Sequence, residues 1–256
     1  LGNLAGFLVA WTYWISCIAA VSGIAIAFVG YLGVFIPAVT NSSILSLLVS
    51  LALVWSVIGM NIQSIENSGK FQVVTTFLKI LPLLFIIALG FSNMEPDILP
   101  PVNPTDLHPF AVLATVTTLV MWSFIGIETA TVPADNIYQP DKTIPKILIA
   151  SLLTILVIYF LVSLAIVLIV PAGELIGSSA PFALAATKVM GPVGGAIITV
   201  GALISTLGSL NANTLTAGQV PLAAAKDHLL PNKFLTLSRT GTPIFSFAVS
   251  GGFMTL

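Results

Sequence analysis

The chain has 256 residues, a formal net charge of −1, 57% hydrophobic residues and only 7% charged ones. A soluble domain carries roughly 25% charged residues, so this chain reads as an all-α polytopic membrane protein in contact with a lipid bilayer. The near-neutral charge leaves no basic footprint for nucleic acid. Cys17 alone cannot form an internal disulfide, and CxxC, HExxH and glycine-rich phosphate-loop patterns are absent, so no metal, cofactor or enzymatic chemistry is expected.

Seven apolar segments follow one another along the chain. Segment A covers 4–39, well beyond the roughly 20 residues that a span needs, so it is expected to tilt, kink or project from the bilayer. Asn41, Ser42 and Ser43 separate it from segment B, 44–62, and Asn67, Ser68 and Gly69 separate B from segment C, 71–91. An exposed loop over 92–106 holds Pro96, Pro100, Pro101 and Pro104. Segment D covers 109–133, and Pro140 and Pro145 bracket a short linker to segment E, 147–170. Segment F, 191–225, is again overlong, and segment G begins at Pro243. No soluble domain is visible, so 1–256 reads as a single transmembrane domain. It has no initiator Met and stops within an apolar run, which leads us to expect a fragment.

If the sides alternate, Lys70, Lys142, Lys146, Lys226, Lys233 and Arg239 share one side and only Lys188 lies on the other. The positive-inside rule puts the basic side in the cytoplasm, so A runs from inside to outside, as expected of a multi-pass protein of a bacterial inner membrane.

Two ionisable residues fall inside apolar segments. Lys79 in C lies nine residues past Lys70, roughly 13 Å deep in a hydrocarbon core about 30 Å thick. It is either a structural lysine hydrogen-bonded to carbonyls of a broken helix or a group that gains and loses a proton during transport. Glu128 in D is expected in the inner half of the membrane. There it can bind a cationic substrate, pair with Lys79, take up a proton or form a fixed ion pair. Charged groups at such depth usually face a cavity or a partner and mark a transport path.

Around Glu128, the residues Ser123, Gly126, Thr129 and Thr131 interrupt the apolar run. Discontinuous spans expose helix ends and free carbonyls at depth, which suits the binding of small charged groups. Trp122, six residues before the acid, is either an interfacial anchor or a ring that stacks on a cation. Trp55 reads as an interfacial anchor, and Tyr13 and Trp14 stand within A. In F, Ser209 and Asn213 are four residues apart and share a helix face, pointing either into a polar cavity or toward another helix.

The run Trp122-Ser-Phe-Ile-Gly-Ile-Glu128, with Ala130 to Ala134 and Pro140 to Pro145 after it, resembles the sixth-helix region of the amino acid–polyamine–organocation (APC) superfamily. The likeness is greatest to the basic amino acid/polyamine antiporters of the arginine/agmatine type. Tyr13 and Trp14 through Leu32 resemble their third helix, and Gly208 to Lys226 their eighth. The resemblance covers essentially the whole chain. It implies a twelve-helix fold of two inverted five-helix repeats around a midplane site, of which this chain would hold the third helix to the start of the ninth.

By that resemblance, Trp122 is the gating aromatic, and carbonyls around Trp122, Ser123, Ile125 and Gly126 receive the substrate's amino group. Ser16, Cys17 and Asn213 line the side-chain pocket, while Glu128 and Tyr13 belong to a gate or proton-sensing cluster. Lys79 resembles the fifth-helix lysine of proton-coupled, broad-specificity members, where it replaces a coupling sodium ion. Val21 and Asn213 stand where the arginine-type exchangers carry asparagine and tryptophan, so arginine specificity is not implied. The expected function is secondary active transport of an amino acid or amine, coupled to protons as antiport or symport, by alternating access. An arginine/agmatine-type exchanger and a non-transporting sensor are the alternatives, and a homodimer is an assembly compatible with this fold. A channel would need a repeated carbonyl filter and an enzyme a set of paired acids, and Glu128 with distant His108 and His228 supplies neither.

Overall fold

A computed structural model describes residues 2–63, 65–93, 99, 107–124, 126–127, 137–176, 178, 180–238 and 241–256. Among these the regular structure is helical: α1 (Asn3–Leu32), α2 (Pro37–Asn41), α3 (Ser43–Gln63), α4 (Ile65–Ser92), α5 (Pro109–Met121), α6 (Pro140–Ile169), α7 (Ala172–Leu175), α8 (Pro181–Lys226) and α9 (Ile244–Met254). Five of them, α1, α3, α4, α6 and α8, are long and apolar enough to cross a membrane, while α5 and α9 are shorter apolar helices. A backbone in lipid must satisfy its own polar groups, which is why such a composition resolves into helices. The chain is therefore an all-α polytopic membrane protein.

Several boundaries differ from the expected ones, each for a local reason. Segment A does not continue to Val39: α1 stops at Leu32, and a turn at Gly33 leads into α2, whose first residue is Pro37. Proline is preorganised for the first helical position, where its missing N–H costs nothing. The expected linker between D and E is instead helical, because α6 starts on Pro140 with Asp141 in its first turn and carries Pro145 inside. An acidic first turn complements the helix dipole. Segment F starts at Gly191 as expected, because α8 is two helices that meet in a kink there: a first piece from Pro181 leads up to Gly191, which takes φ 68 and ψ −161, a region that only glycine enters cheaply.

Asn67, Ser68 and Gly69 do not separate two spans, since α4 runs through them. Ser68 is fully buried and hydrogen-bonded to two asparagines, so its polarity serves a helix contact rather than a loop.

The described chain forms two compact units, one of Leu1–Leu81 with Thr199–Leu256 and the other of Pro82–Ile198. The first has a core of Trp14, Cys17, Ile18, Val21 and Ala25 from α1 against Val54, Val57 and Ile58 of α3, Leu210 and Ala217 of α8 and Phe247 of α9. Trp14 is its polar fastening: the indole N–H donates to Ser250 Oγ at 2.9 Å, and that hydroxyl donates to the Ala217 carbonyl at 2.9 Å. The second unit packs Ile86 of α4 against Val162, Ala165, Ile166 and Ile169 of α6 and Ala185 and Ala186 of α8. Here α4 and α6 approach at Gly90, where a Cβ would stand 2.5 Å from Ala165 Cα and 2.8 Å from its carbonyl oxygen. Small residues of this kind let helices pack closely in lipid, where no hydrophobic driving force assists.

Candidate functional site

Segment D is broken, as its Ser/Gly/Thr cluster predicts. The α-helix ends at Met121, Trp122–Phe124 tighten into a 3-10 turn, and Gly126 takes φ 106. That φ lies outside the wells open to ordinary L-residues, so the helix cannot simply resume there. The turn is held within its own unit by Phe124, whose ring lies 5.9 Å from Tyr159 of α6. Trp122 enters the description through its backbone, Ser123 is exposed, and Ile125 and Glu128 lie outside the described residues. In general, a break in a span frees backbone donors and acceptors that a continuous helix would consume internally.

In the other unit, the expected pocket residues on α1 do not share one face. Cys17 is buried in the core, Tyr13 packs partly buried against that core, and Ser16 is exposed with its hydroxyl donating to the Tyr13 carbonyl at 2.8 Å. Val21 is fully buried among apolar neighbours. Asn213 on α8 is half-buried and its amide donates to the Ser209 carbonyl at 2.9 Å, so the two residues do share a face. Lys79 on α4 is half-buried, and among the described residues it has no ion-pair or hydrogen-bond partner.

A polar cluster that sequence spacing did not single out lies between α3, α4 and α8. Asn211 accepts from the Asn61 amide at 2.9 Å and the Ser68 hydroxyl at 3.0 Å, and it donates to the Ser68 carbonyl at 3.3 Å and to Gln72 Oε1 at 3.2 Å. Asn61 also donates to the Val57 carbonyl at 2.9 Å and accepts from Ser68 at 2.7 Å. Both asparagines and Ser68 are fully buried. The signal in the sequence was the i, i+4 pair Ser68 and Gln72, which would have been legible had the Asn-Ser-Gly run not looked like a loop.

The model of the amino acid permease family matches residues 1–256. A Bacillus subtilis (strain 168) protein provisionally named for arginine/ornithine antiport is 26% identical over 97% of this chain and 57% of its own length. The putrescine transporter PotE of Escherichia coli (strain K12) is 26% identical over 95% of this chain and 55% of its own length. The PotE protein of Haemophilus influenzae is 26% identical over 100% of this chain and 59% of its own length. The chain thus spans just over half the length of these relatives, which are named as transporters rather than enzymes.

Proposed function

We propose that this chain, which belongs to the amino acid permease family, forms part of a secondary active transporter for an amino acid or an amine, working by alternating access. The observation that carries the proposal is the interruption of segment D at Trp122–Phe124 and Gly126 within an otherwise apolar segment. A helix broken in this way turns carbonyls toward a solute's ammonium group at membrane depth, and Trp122 closes over that solute from the same turn. The relatives named for putrescine and for arginine/ornithine support a cationic or zwitterionic amine as substrate. Ser16 and Asn213 are the proposed side-chain contacts, with Tyr13 in the gate, whereas Cys17, buried in the core of its unit, backs the wall behind them. The replacement of the exchangers' asparagine and tryptophan by Val21 and Asn213 favours a substrate without a guanidinium group.

In this scheme transport is coupled to protons through Glu128 and Lys79. Lys79 is the cation of α4 that lies deep in the span without a charge partner among the described residues. The basic residues Lys70, Lys142, Lys146, Lys226, Lys233 and Arg239 lie on the cytoplasmic side of a bacterial inner membrane. The substrate moves the inward/outward balance only by as much as its affinity differs between the two states. The test is Glu128→Gln in the full-length protein in proteoliposomes. It should fold normally and lose the pH dependence of uptake. Uptake that keeps its wild-type pH profile would remove Glu128 from the mechanism.

A further inference from the structure

We propose that Asn211 is a positioning residue for Lys79: with Asn61, Ser68 and Gln72 it fixes the rotation of α4 about its own axis, and with it the direction in which the Lys79 ammonium is presented. The inference rests on the reading of Lys79 as the proton-exchanging group.

The placement follows from helix geometry. At about 100° per residue, Ser68, Gln72, Thr75 and Lys79 fall within an arc of roughly 60° on α4, so they form one stripe. The first three of the four are committed to contacts. Ser68 and Gln72 bond to Asn211 of α8, and Ser68 also bonds to Asn61 of α3. Thr75 meets α8 at Gly208, where a Cβ would stand 2.7 Å from the threonine hydroxyl. The pairs Ser68 with Asn211 and Thr75 with Gly208 show that the two helices run in opposite directions along this seam. Lys79 is the next residue of the stripe, one turn beyond the last fixed contact.

Asn211 is suited to the task because its amide is saturated. Both N–H groups donate, to the Ser68 carbonyl and Gln72, and the oxygen accepts from Asn61 and Ser68, which makes three partner residues on two helices. A buried amide with every valence engaged has one arrangement, whereas apolar packing tolerates sliding and rotation. Turning α4 by even one residue's angle would orphan several buried polar groups at once. The elements packed on this face offer Lys79 little else to respond to. Of the helices that meet this stripe, α3 carries no Asp, Glu, Lys, Arg or His and α8 has only Lys188 and Lys226. On α4 itself Lys70 is exposed, near the start of the helix, and Glu66 precedes it.

The test uses the full-length protein in proteoliposomes and compares Asn211→Leu, Ser68→Ala and Lys79→Ala with wild type. Proton-driven uptake and its pH profile are measured together with substrate binding in detergent. Asn211→Leu and Ser68→Ala should each lower proton-driven uptake about fivefold and flatten the pH profile, a size typical of coupling through packed networks, while substrate binding stays near wild type. Combining Asn211→Leu with Lys79→Ala should do no further harm beyond Lys79→Ala alone. If Lys79→Ala flattens the profile and the two cluster variants keep it, the positioning role is overturned while the role of Lys79 stands. If Lys79→Ala itself keeps the wild-type profile, both fall. Should Asn211→Leu not fold, Ser68→Ala decides alone, because it deletes one hydroxyl and leaves both amides in place.

Discussion

Replacing Gly126 by alanine would probe the break in segment D with almost no change in packing. Among the described residues an added Cβ at Gly126 would meet no atom within 4 Å, so no steric collision arises from them. The backbone supplies the whole effect. At φ 106 an L-residue sits well outside its left-handed well, and such conformations cost on the order of 1–3 kcal/mol. If the helix instead ran on through this position, alanine would gain about 1 kcal/mol over glycine. The substitution therefore tilts the balance from broken to continuous helix by about 2–4 kcal/mol, or roughly 30- to 700-fold in population. Uptake of labelled substrate into proteoliposomes should fall by about thirtyfold, taking the lower end of that range. Thermal stability should change little, since the chain can escape the strain by straightening. Gly126→Ala with wild-type uptake would refute the reasoning, because it would mean that transport does not need the positive φ.

Two further substitutions test the packing that supports the site. Gly90→Ala drives a methyl group against the backbone of Ala165 and must part α4 from α6. Overpacking of this sort costs about 1–3 kcal/mol and should lower the melting temperature in detergent, whereas Gly59→Ala, with nothing within 4 Å, should leave it level or raise it slightly; equal effects from the two would contradict the close contact. Trp14→Phe removes the donor to Ser250 within a core where the ring is 2% exposed. It should cost about 1–3 kcal/mol for the lost hydrogen bond and the unfilled volume, read as a lower melting temperature. Unchanged stability would show that the Trp14–Ser250–Ala217 chain of hydrogen bonds adds nothing.

Composition and apolar run length were enough to find the long helices, because a backbone in lipid has few alternatives. The break in D was legible too, since Ser123, Gly126 and their neighbours are poor helix residues in a run that otherwise favours helix. What misled was local chemistry read without its partners. Asn67, Ser68 and Gly69 have the composition of a turn, yet Ser68 is buried between Asn61 and Asn211, and the tertiary contact overrides propensity. Pro140 and Pro145 resemble linker punctuation, but proline at a helix start is compatible with the helix. On α1, Ser16 and Cys17 are adjacent in sequence and about 100° apart around the helix, which leaves one exposed and one buried. Only the packing of neighbouring helices decides which side faces the core.

Counterflow tests the central claim most directly. Proteoliposomes of the full-length protein are loaded with unlabelled putrescine, ornithine or another amine and then given a trace of the same compound labelled outside. A carrier with one alternating site should draw the label inward to a transient overshoot above its external concentration, and only for solutes that it binds. Label that merely equilibrates, or that enters no faster than into protein-free vesicles across a panel of amino acids and amines, would contradict alternating-access transport.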